Sequence, residues 1–301
     1  MTNNFSTTSL MSAFGRAYHA ENEIKPVFDD YLAKDLLSNE EYTNMQNAIL
    51  NGIDFFDPSK KDTFDQNDKK LRYLVNNHIA TLPLCRAAYA ENALKTAAKS
   101  GTEQYVILGA GLDTFAYREK NFVLHHKVFE VDILQTQTDK IERLKRANIK
   151  PGKNVVFVEA NFAKDDIGKK LKESGFDPSK KTLFSLLGVS YYLSKDEFEG
   201  VVYALSKIMA EGSSFVFDMG DEYFFDSQDN RVKNIITLAK TCHEPMKSCY
   251  SYSEIEKMLE KYNLLIYDFL FPEDIQLQLI DPRQCDMTAL KDVDFVLAVK
   301  K

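Results

Sequence analysis

The sequence predicts a doubly wound α/β protein, and three observations carry that prediction. Short runs rich in Val, Ile, Phe and Tyr follow one another from Gln104 onward: "YVIL", "KVFEVDI", "VVFVEANF", "LFSLLGVSYYL" and "SSFVFDMG". Continuous apolar runs of this kind suit strands covered on both faces. Amphipathic segments alternate with them, "LQTQTDKIERLKRANI", "AKDDIGKKLKES" and "SKDEFEGVVYALSKIMAEG", as parallel strands with helical crossovers require. The last two runs, "LLIYDFL" and "DVDFVLAVK", are joined by a link from Phe271 to Lys291 that contains Pro272 and Pro282 and reads as loop. With no helical crossover between them, they are expected to pair antiparallel.

Taken in order, the chain up to Ser100 reads mainly as helix, with a loop through "NGIDFFDPSKKDTFDQNDKK". Helical spacing recurs over Leu71–Ile79 and Leu84–Ala98, with Pro83 between them, and Gly101 supplies a helix stop. Residues 1–100 are therefore expected to form an N-terminal helical cap. Residues 101–301 form the sheet domain, with an irregular insertion over 221–250. Ser194 with Glu197, and Ser251 with Glu254, have the spacing of capping boxes and mark two helix starts.

The 301 residues and 44% hydrophobic content suit a substantial core, and the net charge of −7 argues against nucleic acid or an anionic membrane as partner. Cys85, Cys242, Cys249 and Cys285 show no metal-ligand spacing. Reduced thiols, no signal-peptide pattern and no long apolar run give a cytoplasmic protein as the expectation. The oligomeric state leaves no mark in the sequence.

The functional reading turns on "YVILGAGLDTFAYR", Tyr105 to Arg118. Gly109 and Gly111, directly after a buried strand, allow backbone angles closed to other residues and keep side chains away from a ligand. Asp132 lies at the end of the next strand, where an acid reaches ribose hydroxyls. The position of a third dinucleotide-motif glycine is Thr114, so a pyrophosphate fits less well than a nucleoside without phosphates. S-adenosylmethionine meets that description. An NAD-dependent oxidoreductase, and a cofactor-binding protein without transferase activity, are the alternatives.

"QYVILGAGLDTFAYR", then "VFEVD" and "LFSLLGVSYYL", together with "FGRAYHAENEIKPVFDDYLAKDLL" and "LCRAAYAENAL", resemble the leucine carboxyl methyltransferase family. The resemblance runs from about Ser9 to Leu193. It implies a Rossmann-like class I methyltransferase fold, S-adenosylmethionine as cofactor and O-methylation of a small molecule at a carboxylate or hydroxyl. It also implies that Gly109, Ala110 and Gly111 line the methionine side of the cofactor, that Asp132 binds its ribose and that Arg86 pairs with its carboxylate. Asn161 and Phe162 would lie at the adenine, where the family commonly has Asp-Leu. Leu187 stands where the family often carries a glutamate.

From the residues alone, Arg86 shares a helical stripe with Ala90, Ala93 and Ala97 and reads equally as a cofactor ligand or a structural arginine. Tyr191 and Tyr192 follow the fourth strand and are candidates for the substrate wall. Arg16, Tyr18 and His19 read as surface residues of an N-terminal helix. A carboxylate acceptor needs no general base, whereas a hydroxyl does, and His243 is the histidine placed to serve.

Overall fold

A computed structural model describes residues 7–301; the first six residues of the expected cap lie outside the described part. Seven strands form one sheet: β1 (Gln104–Leu108), β2 (Lys127–Asp132), β3 (Val155–Glu159), β4 (Thr182–Leu186), β5 (Ser214–Gly220), β6 (Leu264–Leu270) and β7 (Val293–Lys300). Their order is β3-β2-β1-β4-β5-β7-β6. The first five are parallel, and β7 runs antiparallel to both β5 and β6. Dinucleotide-binding sheets instead run 3-2-1-4-5-6.

β1 and β4 are buried along their whole length, which is why they read as unbroken apolar runs. Alternate residues still serve different layers. Tyr105 and Ile107 join the core under the N-terminal helices, whereas Val106 and Leu108 join the core under helices Ile167–Glu173, Lys195–Ser206 and Tyr252–Lys261. The N-terminal helices thus share a hydrophobic core with the sheet. Helix Thr81–Lys99 packs directly against β4, β5 and β7. Among the described residues, no helix is long and apolar enough to cross a membrane.

Both capping boxes form. Ser194 and Ser251 each accept the N–H of the glutamate three residues on, and that glutamate's side chain accepts the serine N–H in return.

Several local expectations are corrected. Pro83 does not divide two helices: it sits in the first turn of Thr81–Lys99, which runs on from Asn67–Leu74 through a π-helical segment, Val75–Ala80. Pro83 has no N–H to give the preceding turn, and the chain widens just before it. The run to Leu193 stops being a strand at Leu186, because Gly188 (φ 67°) turns the chain out of the sheet and Ser190–Tyr192 form a 3₁₀ turn. The stretch 221–250 is not irregular throughout but holds helix Asn230–Thr241, whose N-terminus is capped by Asp229 accepting from Arg231 N–H. Val232, Ile235, Leu238 and Ala239 give that helix its apolar face. The 51–70 and 271–291 links contain short helical turns at Ile53–Phe56, Pro58–Lys60, Pro272–Ile275 and Asp281–Arg283. Arg16, Tyr18 and His19 are buried, not surface residues.

Candidate functional site

The sheet order reverses between β1 and β4, and open α/β sheets bind ligands in the crevice beyond such a point. The crevice here is a cavity of about 570 Å³, within the range of small-molecule sites.

Its floor is the turn after β1. Gly109 (φ 72°) and Gly111 (φ 44°) both take left-handed backbone. The N–H groups of Gly109 and Ala110 donate to Val131 O at 2.8 and 3.1 Å, tying the turn to β2. Space is as restrictive as angle: a Cβ on Gly109 would stand 2.4 Å from Val189 Cγ2, and one on Gly111 2.8 Å from Ser9 Oγ.

Asp132 holds this turn from the end of β2. Its Oδ2 accepts Gly111 N–H and its Oδ1 accepts Ile133 N–H, both at 2.8 Å. Burial pushes the carboxyl pKa up, and the two backbone donors work against that shift. Each carboxylate oxygen has a second lone pair, so the fixed group can still accept hydroxyl donors.

The opposite wall carries Arg86, from helix Thr81–Lys99. Its Nη1 lies 3.4 Å from Asp218 Oδ2 at the end of β5. Asp218 is fully buried; its Oδ1 accepts Gly188 N–H at 2.6 Å and its Oδ2 accepts the Tyr191 hydroxyl at 3.1 Å. The guanidinium rests on Gly188, where a Cβ would come within 2.2 Å of Nη1. Of the five guanidinium donors, one is engaged among the described residues, leaving others for an anion.

The structure brings most of the expected residues to this one cavity. Arg86, Gly109, Ala110, Gly111, Asp132 and Phe162 line it, and so do Tyr191, Tyr192 and His243. His243 is exposed and has φ 61°, at the turn that ends helix Asn230–Thr241. Leu187 is also in the wall. Asn161 is not: its Oδ1 accepts Ala163 N–H at 3.0 Å, so it shapes the turn after β3 and leaves Phe162 to face the cavity.

Sequence reasoning missed an ionic cluster behind the glycine turn. Asp30 is 1% exposed and accepts from Arg16 Nε at 2.8 Å and from the Thr114 hydroxyl, with Arg118 Nε 3.2 Å away. Arg16 also donates to Leu112 O at 2.8 Å, and Arg118 pairs with Glu91. Thr114, at the position of the absent third glycine, is thus a buried hydrogen-bond donor opening only a one-turn helix, Phe115–Arg118. An arginine with acids in "FGRAYHAENEIKPVFDD" was a signal for this cluster, but the Leu112 carbonyl that Arg16 also binds lies 96 positions away and the Thr114 hydroxyl that Asp30 accepts lies 84 away.

A family model described as leucine carboxyl methyltransferase matches residues 9–206. The chain belongs to that family. Over 302 aligned residues it is 39% identical to a Bacillus subtilis (strain 168) protein named "Putative S-adenosyl-L-methionine-dependent methyltransferase YktD", covering 99% of each chain. A Mycobacterium marinum protein with the same description, without YktD, is 30% identical over 208 residues, 68% of this chain and 63% of that one. Among solved structures, a DUF574 family protein from Streptomyces avermitilis matches with TM-score 0.54 at 15% identity, over 85% of this chain and 97% of the other. A Thermobifida fusca structure titled as a putative methyltransferase gives 0.52 at 18% identity, over 84% and 94%. These two likenesses concern the fold.

The protein is accordingly an S-adenosylmethionine-dependent methyltransferase of class I architecture, and the oxidoreductase alternative falls away. The residues present suit the cofactor: an open glycine cradle, a carboxylate fixed for hydroxyl donors and a guanidinium with donors to spare.

Proposed function

We propose that this family member methylates an oxygen atom, a carboxylate or a hydroxyl, of a small molecule. The family description names a carboxyl acceptor, and the cavity has the dimensions of a small-molecule site. In this reading Asp132 accepts the ribose hydroxyls and Gly109, Ala110 and Gly111 admit the methionine chain. Arg86 takes the cofactor carboxylate, while Phe162 and Ile133 flank the adenine. The single observation that supports the cofactor placement in this reading is Asp132 bound to Gly111 N–H, which ties the carboxylate and the glycine turn together.

When bound, the cofactor supplies a sulfonium methyl group for in-line displacement. What the chain supplies is mainly placement. Asp218, itself held by Gly188 N–H and the Tyr191 hydroxyl, keeps Arg86 at one position on the wall. Tyr191, Tyr192 and the apolar wall exclude water, which favours a step in which charge disappears.

Calorimetric titration with S-adenosylmethionine, S-adenosylhomocysteine and NAD, on wild type and Asp132→Ala, tests the assignment. Both adenosyl ligands should bind wild type, bind the variant at least tenfold more weakly, and leave NAD without a signal. Unchanged affinity in the variant would remove Asp132 from the site.

A further inference from the structure

We infer that the acceptor is an uncharged, largely apolar molecule presenting a hydroxyl, not a carboxylate, and that Glu244 receives its proton. The inference rests on the O-methylation reading above and narrows it by the charges in the cavity wall.

A carboxylate acceptor in a water-poor pocket needs a cation or several donors, since its desolvation is otherwise uncompensated. Among the described residues, four lysine or arginine side chains line the cavity: Arg16, Arg86, Arg118 and Lys247. Arg16 is occupied by Asp30, Ser12 Oγ and Leu112 O. Arg118 is occupied by Glu91, Asp30 and Thr114. Lys247 reaches outward to Glu197 at 3.3 Å, with half its side chain in water. Arg86 is the cation with open donors, and the cofactor's own carboxylate claims it. Among the described residues, no lysine or arginine of the wall is left for a second carboxylate.

The wall made by helix Asn230–Thr241 and the turn after it offers the opposite chemistry. Ile235, Leu238, Ala239 and Met246 present apolar surface, joined by Met11 and Leu82 from across the cavity. Into this setting projects Glu244. Its Oε2 accepts the Thr8 hydroxyl at 2.5 Å, and its backbone N–H donates to Ala239 O at 2.9 Å. Among the described residues Oε1 has no hydrogen-bond donor.

Three contacts place Glu244 near the reacting region. Thr8 adjoins Ser9, whose hydroxyl sits against Gly111. Thr8 is also hydrogen-bonded to Tyr192, and the Tyr192 hydroxyl feels both Arg86 and Glu244. Tyr192, which also lines the cavity, is thus within electrostatic reach of both the Arg86 guanidinium and the Glu244 carboxylate.

A bound hydroxyl can donate to Oε1, whereas a bound carboxylate would meet that oxygen as like charge. In the transfer, the acceptor oxygen forms a bond to the methyl carbon as the carbon–sulfur bond breaks. That electron pair stays on sulfur and the hydroxyl proton passes to Glu244.

Two probes of matched shape, 2-naphthol and 2-naphthoic acid, test this. Binding is measured calorimetrically to protein loaded with S-adenosylhomocysteine, and transfer as release of that product from S-adenosylmethionine. The expected result is at least tenfold tighter binding of naphthol, its methylation, and no methylation of naphthoate. Glu244→Gln should lower kcat/KM for naphthol at least tenfold and shift its pH profile, with S-adenosylhomocysteine affinity within twofold of wild type. Comparable or better binding or turnover of naphthoate overturns the inference, as does binding of neither probe or an unaffected Glu244→Gln. The two-probe comparison on wild type stands whether or not the variant folds. Failure of wild type to bind S-adenosylhomocysteine would instead sink the cofactor assignment and take the acceptor inference with it.

Discussion

Asp294 gives the sharpest test of the electrostatics. It lies on β7 opposite Met219 of β5, is 3% exposed, and its Oδ1 has no hydrogen-bond partner among the described residues. The charges that act on it, Asp221, Asp292 and Glu273, are all negative. Burial first, and these acids second, push its pKa up to about 8. A folded-state value above the unfolded one means that the native protein binds the extra proton. Stability is then fully present below about pH 4 and is lost as pH rises towards 8, by about 1.4 kcal/mol per pH unit. Asp294→Asn removes that proton from the balance while keeping the shape. Between pH 6 and pH 7.5 the variant should therefore gain about 2 kcal/mol relative to wild type. Urea denaturation of both proteins at the two pH values measures the difference directly. Asp221, whose pKa is also raised, titrates in both proteins and largely cancels. A difference that stays constant within about 0.5 kcal/mol across this range would show that Asp294 has a compensating partner and refute the reasoning.

Two further changes probe the region around the glycine turn. Asp30→Asn leaves Arg16 and Arg118 facing a neutral amide in a buried site, which costs about 3–5 kcal/mol. With an unfolding entropy of about 0.6 kcal/mol/K for 301 residues, scanning calorimetry should show Tm lower by about 5–8 °C, and a change under about 1 °C would contradict the coupling. Gly109→Ala must take φ 72°, at about 1–2 kcal/mol, and also displace Val189 from the cavity wall. It should weaken S-adenosylhomocysteine binding at least tenfold. Gly101→Ala, at φ 93° with open space around it, should lose similar backbone stability and keep full affinity.

The strands were legible because β1, β4 and β5 are buried on both faces and therefore write continuous apolar runs into the sequence, whereas their order in the sheet depends on pairing between distant segments. The antiparallel ending was legible from the link between β6 and β7. Helix Asn230–Thr241 was hidden because its β-branched Val232, Ile235 and Ile236 are shared with strands, and its cap, Asp229, bonds one residue earlier than a capping box does. Arg16 was hidden for a different reason. One turn of helix cannot show that a charged side chain is buried when the acid that permits its burial, and the Leu112 carbonyl it also binds, come from other segments.

The site divides along the same line between local and distant causes. Gly109, Gly111 and Asp132 could be placed from sequence because backbone angle and strand-end position are local properties. Gly188 and Asp218 could not, since their roles exist only relative to Arg86. Gly188 is a glycine partly because a guanidinium from 102 positions earlier occupies the space of its Cβ. Asp218 is charged at a fully buried strand end because it accepts from that guanidinium, from Tyr191 and from Gly188 N–H together. Leu187 belongs to the same arrangement. Asp218, one strand over, already sets an acid beside Arg86, so the wall keeps a carboxylate for its arginine while residue 187 adds apolar surface to the cavity.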